Sequence, residues 1–232
     1  MGSVRAGEQP RRSMIYRTLE KAGARFETLE DCAVAVSFGV GDEAETARRM
    51  GIGDLSPLAR TGFKAKDTPA WLSGLGVRLP DAPNRARQQD DGALVARLSA
   101  DEHFILSDLA GRSDLVSRLD GAWVIDAERR CYPMPRAHSH CWFVLTGRHT
   151  PEMLAKVCGV DLRPQKFANG WVAQTSVARL NAIVIRNDIG ETTAYYLFAD
   201  SASADYLWLC LLDAMDEFDG RPVGLDALLA LD

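Results

Sequence analysis

Three short stretches of this 232-residue sequence carry residue types dense enough for chemistry. The first, GDLSPLARTGFKAKDTPAWL from Gly53 to Leu72, puts a glycine and two lysines, Lys64 and Lys66, just before a Thr-Pro helix start. Those are the ingredients of a phosphate cradle. A P-loop, however, needs Gly-x4-Gly-Lys-Ser/Thr, and the Gly51-Ile-Gly53 and Gly74-Leu-Gly76 pairs lack the third glycine of a dinucleotide turn. The lysines are therefore read as part of a connection. The second stretch, His138-Ser139-His140-Cys141 with Cys131 upstream, has metal-binding side chains, and an H-x-H pair on a strand would put both rings on one face. No carboxylate or further histidine stands at ligand spacing, so no metal is expected. Cys141 beside His140 fails as a nucleophile pair because adjacent strand residues point to opposite faces. The third stretch, DAPNRARQQDDG from Asp81 to Gly92, is polar and rich in breakers, which predicts a surface loop of the kind that often carries function. It holds Arg85, Arg87, Asp90 and Asp91.

The elements that position these residues come from an internal repeat. TPAWLSGLGVRLP from Thr68 matches TPEMLAKVCGVDLRP from Thr150, and VARL at Val95 matches VARL at Val177, both at an offset of 82 residues. FILSD ending at Asp108 then faces YLFAD ending at Asp200, and SDLVSRLDGA faces ADYLWLCLLDA, with the offset grown by about ten. In each copy Thr68 or Thr150 is predicted as an N-cap with proline at the first helical position, where φ is already set and no N–H is lost. Two strand-like runs follow, ALVARL and HFILS in the first copy, VAQTSVARLNAIVI and AYYLFAD in the second. A helix closes each copy; in the second, Trp208, Leu211, Leu212 and Met215 recur at helical spacing as one buried stripe. The predicted fold is α+β, an internally duplicated plait of strand-helix-strand-strand-helix, with pseudo-repeats over about 55–122 and 137–216.

Ahead of the repeats, Ile15, Leu19 and Ala22 form a helix stripe stopped by Gly23, CAVAVSFG reads as a strand, and Asp42 with Glu45 makes a capping box for a second helix stopped by Gly51. Residues 1–13 are polar and are expected to be a flexible tail before a domain of residues 14–232. Apolar content of 47% with no run near ~18 apolar residues describes a soluble globular chain, and the N-terminus lacks the apolar stretch of a secretory signal; a cytoplasmic location is expected. A net charge of −5 argues against a general nucleic-acid binder. Cys32, Cys131, Cys141, Cys158 and Cys210 are odd in number, scattered and without a CxxC pair, as reduced packing thiols are.

RFETLEDCAVAVSFGVGDEAETARRMGIGDLSPLARTGFKAKDTPAWL resembles the N-terminus of the glycine-cleavage T protein (aminomethyltransferase) family of folate-binding proteins. PNRA, FANGWVAQTSVARLNAIVIRND and ETTAYYLFADSASADYLWLCLLDA are closer to the gamma subunit of heterotetrameric sarcosine oxidase. The resemblance runs from about residue 14 onward and implies an aminomethyltransferase-like folate-binding domain. GRPVGLDALLALD closes the sequence where the T protein continues into a C-terminal barrel, so that barrel is expected to be lacking.

The resemblance also assigns roles. Asp91 falls on the catalytic aspartate of the family, which assists at the folate nitrogen during one-carbon transfer, although RQQDDG has lost the glycines of the family signature. Glu191, in NDIGE where the family has GYTGE, matches the glutamate that holds the pterin; a carboxylate can accept from the adjacent N–H donors of the 2-aminopyrimidine ring. Arg85 for a glutamate tail, Trp171 after the Asn169-Gly170 turn, and Tyr195 complete the expected cofactor-binding set. Each has a plainer reading, as a solvated loop acid, a loop arginine or a core aromatic. Two functions stand side by side. One is a sarcosine oxidase gamma-like accessory subunit or tetrahydrofolate-binding module in N-methyl amine metabolism, docking on flavin-containing amine oxidase subunits and binding no flavin alone. The other is an autonomous tetrahydrofolate-dependent aminomethyl- or methyltransferase.

Overall fold

In the computed structural model, which describes residues 2–232, the chain opens with strands at Ser3–Val4 (β1) and Arg11–Arg12 (β2) and a helix at Tyr16–Lys21 (α1). A hairpin of Arg25–Leu29 (β3) and Cys32–Ser37 (β4) follows, then helix Glu43–Met50 (α2) and strand Gly51–Asp54 (β5). β1 and β2 lie in the segment expected as a flexible tail. The β3–β4 hairpin has two open edges with unpaired backbone groups, and the two short strands fill them: Ser3 pairs with Glu27, and Arg11 runs parallel beside Cys32. Ala6 between them is fully buried. Asp42 caps α2 by accepting from the Glu45 amide at 3.0 Å.

The first repeat comprises Arg60–Lys64 (β6), Thr68–Gly74 (α3), Arg85–Gln88 (β7), Leu94–Arg97 (β8), Glu102–Leu106 (β9) and Leu115–Ala122 (α4). After a short strand at Tyr132–Pro133 (β10), the second repeat comprises His140–Thr146 (β11), Thr150–Val157 (α5), Val172–Val177 (β12), Leu180–Arg186 (β13), Ala194–Asp200 (β14) and Ala204–Met215 (α6). Arg221–Pro222 (β15) and Leu225–Leu229 (α7) end the chain. Within the sheets, the order β6-β9-β8-β7 recurs as β11-β14-β13-β12. The duplication is therefore real, and each unit has one more strand than the sequence showed. None of these sheets closes into a barrel among the described residues.

Register fixes which residues are equivalent. Lys64 pairs with Glu102 as Thr146 pairs with Ala194, a shift of 82 residues in the first strand and 92 in the last. Arg97 pairs with His103 as Arg186 pairs with Tyr195, so β8 and β13 correspond at a shift of 89. The VARL match at 82 was therefore accidental: Val95–Arg97 lies within a strand, whereas Ala178 and Arg179, both at positive φ, turn the β12–β13 hairpin. Thr68 and Thr150 are also not caps; both lie fully buried inside the first turn, one position after the N-cap.

Strand alternation builds the layers. Phe63, Val95 and Ile105 face α3 and α4, meeting Leu72, Leu115 and Leu119. Phe143, Val184, Tyr195 and Leu197 face α5 and α6, meeting Met153, Leu154, Trp208 and Leu211. The opposite faces, Leu94, Ala96, Phe104 and Leu106 from one unit with Trp142, Val144, Ile183, Tyr196 and Phe198 from the other, pack against each other in a shared core. Phe104 and Phe198 meet there edge-on with centroids 4.8 Å apart. The two sheets also join edge to edge, with the Ala86 amide donating to the Gly170 carbonyl at 2.6 Å and the Val172 amide to Asn84 at 3.1 Å. Gly170 sits at φ +79°, and a Cβ there would lie 2.9 Å from the Ala86 carbonyl oxygen, so only glycine fits the joint.

Candidate functional site

Between the two units opens a cleft of about 680 Å³, lined by the Asp90–Gly92 turn, Ser107 and the Asp108 loop of the first unit, residues 187–190 and Tyr196 of the second, and Leu228, Leu229 and Asp232. The turn between β7 and β8 carries Asp91 to its rim. One Asp91 oxygen accepts from the Ala93 amide at 3.2 Å, the other from the Ser113 hydroxyl at 2.7 Å. Asp90 accepts from Arg78 at 2.7 Å. Asp108 accepts from the amides of Ala110, Arg112 and Ser113 and so shapes its own loop. Opposite, Asp188 takes both Nε and Nη2 of Arg186, at 3.0 and 2.6 Å, and these hydrogen bonds, against the opposing pull of burial and aided by the Asp188 charge, hold that guanidinium above its usual range.

The expected site residues separate in space. Asp91 and the 187–190 hairpin share the cleft, but Glu191 is not among its lining residues. It stands exposed at the hairpin tip, closed by mutual backbone bonds between Ile189 and Thr192. The preceding Gly190 packs on the end of the chain, where a Cβ would come within 2.2 Å of the Leu231 carbonyl oxygen. Arg85 and Trp171 do meet, the guanidinium 4.0 Å from the ring centroid. They meet at the edge-to-edge joint of the two sheets, where their backbones bridge, and neither lines the cleft. Tyr195 faces the helices, fully buried; its hydroxyl donates to the Leu162 carbonyl, its ring stacks near Phe167, and burial pushes its phenol up to about 12. That disagrees with a cofactor-binding role for Tyr195, because alternation on β14 turns it away from the cleft and presents its neighbour instead.

That neighbour, Tyr196, is what sequence reasoning missed. It is 4% exposed, lines the cleft, accepts from Asn187 Nδ2 at 3.1 Å, and is held by burial at about 12. Ser107 is 6% exposed, and its hydroxyl has no hydrogen-bond partner among the described residues. The repeat supplies an internal comparison. At the corresponding positions the other unit has Phe104 in place of Tyr196 and Ala199 in place of Ser107, as the strand pairing of β9 and β14 dictates. A second opening, about 400 Å³ and lined by His140, Gln174 and Phe198 among others, has neither Tyr196 nor Ser107 in its lining. The match of FILSD with YLFAD, at 92 residues, already set Tyr196 against Phe104; what it did not give was which face of the strand turns to the cleft.

His140 does not act with Cys141. Its Nε2 accepts from Arg136 Nη1 at 3.3 Å and its Nδ1 meets Ser139, while burial and then the Arg136 charge push it down to about 4. Cys141 is fully buried on the other face, its thiol pushed up to about 12.

Two solved structures share this architecture. A chain of the heterotetrameric sarcosine oxidase from Corynebacterium sp. U-96, in complex with pyrrole 2-carboxylate, superposes with a TM-score of 0.66 at 21% identity, over 90% of this chain and 97% of that one. The glycine cleavage system aminomethyltransferase T from Bartonella henselae gives a TM-score of 0.73 at 17% identity over 95% of this chain, which spans 61% of the aminomethyltransferase. A search of curated proteins by sequence gives no match. At such identities the likeness speaks for the fold. The sequence itself speaks for descent, because residues 15–231 match the GCVT N-terminal domain across both repeats, and the chain belongs to that family.

Proposed function

We propose that the chain is a sarcosine oxidase gamma-like accessory subunit in N-methyl amine and one-carbon metabolism, docking on flavin-containing amine oxidase subunits and carrying no flavin itself. The observation that carries this reading is the state of the two inherited carboxylates. Asp91 is tied at both oxygens to its own turn and to Ser113, and Glu191 is exposed outside the cleft. A folate catalyst needs a general acid or base within hydrogen-bond reach of the reacting atom and a carboxylate on the pterin. Further support comes from the sarcosine oxidase chain, whose match runs almost end to end in both directions. No helix among the described residues is long and apolar enough to cross a membrane; the expected setting is the cytoplasm.

Co-expression with flavin amine oxidase subunits followed by affinity purification tests the proposal. The chain is expected to travel with them, and alone to show no flavin absorbance and no turnover of sarcosine or dimethylglycine with tetrahydrofolate. A second reading, an autonomous tetrahydrofolate-dependent aminomethyltransferase, is favoured by one fact: Asp91 does reach the rim of a large cleft. Turnover by the isolated chain that disappears on Asp91→Asn would establish it. Calorimetric titration with tetrahydrofolate, repeated with Glu191→Gln, tests folate binding separately.

A further inference from the structure

A pocket of about 380 Å³ lies where the segment before and into α1 faces the turn between β5 and β6, and it shares no lining residue with the cleft. Arg11 and Arg12 line it, with no aspartate or glutamate. Arg11 is already engaged, donating to Asp31 at 2.6 Å and to the Pro57 carbonyl at 3.3 Å. Arg12 is not: its Nη1 donates to the Gln9 carbonyl, which leaves Nε and Nη2 without an acceptor among the described residues. Arg17 makes no ion pair among those residues either, and the guanidiniums of Arg12 and Arg17 stand 5.1 and 5.0 Å from the centroid of one ring, that of Tyr16. Two like charges drawn to one ring repel each other, and a nearby anion relieves that repulsion.

The acceptors of the lining are spent. The wall carbonyls of Ser56, Leu58 and Ala137 accept from the buried Arg60, that of Pro57 from Arg11, and that of His138 from the Ser201 hydroxyl. The hydroxyls of Ser13 and Ser56 accept from the amides of Ile15 and Trp142. Arg60 adds its charge from behind these walls; Asp54, which opposes it, is buried and does not line the pocket. A concave lining with free donors, occupied acceptors and positive charge selects an anion. Pro10, Met14 and Leu58 supply apolar walls. One free planar fork matches one carboxylate, whereas a phosphate dianion calls for more than one free cation.

We propose that this pocket binds an organic carboxylate: a single carboxylate accepting from Nε and Nη2 of Arg12, on an apolar body held against Pro10, Met14 and Leu58. The inference goes beyond the accessory reading and does not depend on it.

Calorimetric titration of the full chain with phenylacetate, benzyl alcohol, benzylammonium and phenyl phosphate tests it. Phenylacetate is expected to bind at least about tenfold more tightly than the alcohol or the ammonium, no more weakly than the phosphate, and to lose affinity as salt is raised. Arg12 is exposed and makes one hydrogen bond, so Arg12→Gln keeps the fold. That substitution is expected to weaken phenylacetate about tenfold and Arg17→Gln about threefold. Arg163→Gln, at an exposed arginine outside the pocket, is expected to leave binding unchanged. No binding of phenylacetate up to about 10 mM, equal affinity for acid and alcohol, tighter binding of the ammonium or the phosphate, or indifference to both Arg12→Gln and Arg17→Gln would overturn the proposal.

Discussion

At the scale of single residues, Arg60 shows how one cation organises two loops. It is 3% exposed, and its guanidinium donates to the carbonyls of Ser56, Leu58, Arg136, Ala137 and His140. Burial lowers its pKa to about 10, with Asp54 opposing that shift, so it stays charged at neutral pH. Five planar donors can satisfy carbonyls arriving from both sides, which a lysine ammonium with three cannot do. Arg60→Met is expected to cost about 3–5 kcal/mol in urea unfolding, since it strands the carbonyls and leaves buried Asp54 uncompensated; Arg60→Lys is expected to recover less than half of that. Neither effect was legible in ARTGF, where Arg60 reads as an ordinary strand-edge charge.

At the scale of elements, the strongest local rules survived and the weakest matches failed. Helices stand where the Thr-Pro pairs and the apolar stripe of α6 put them, the first two starting one position earlier than expected, because each rests on several residues agreeing. β7 was hidden in RARQ, half-buried and without alternation of apolar residues; it forms because β8 offers it an edge. The cleft was half legible. Its acidic turn and its hairpin could be named from the sequence, but which of Tyr195 and Tyr196 faces inward depends on register, and a shift of one residue exchanges the faces. Gly170→Ala tests the joint between β7 and β12. Positive φ and the 2.9 Å approach to the Ala86 carbonyl predict a loss of about 1–3 kcal/mol, read by thermal unfolding, together with faster amide exchange at Ala86 and Val172.

For the whole molecule, stability is expected to fall with acid in two windows. Burial, followed by the Arg97 charge, pushes His103 down to about 4, and its ring nitrogens have no partners; His140 is also held at about 4. An imidazole kept neutral in the fold but free to protonate when unfolded leaves stability complete above about 6.5 and drains it as pH falls toward 4. Glu43 and Glu102 carry depressed values despite the upward push of burial, Glu43 through amides of Gly224, Phe38 and Gly39, Glu102 through Lys64 and Arg136; they add a loss below the ordinary carboxylate range. Asp54, raised by burial, works in the opposite direction. Urea midpoints between pH 7 and pH 4 are expected to decline, and His103→Leu to flatten the upper part of that decline; an unchanged slope would count against the neutral imidazole.

The joint where Asn84 to Ala86 meets Gly170 to Val172 pairs equivalent segments of the two units, each edge strand meeting its own counterpart. Like meeting like is how a symmetric pair of separate chains associates. In such a pair any substitution appears twice, and both openings must stay the same. Covalent linkage lifts that obligation, so unlike residues can stand at like positions of the two copies, Tyr196 where the register puts Phe104 and Ser107 where it puts Ala199.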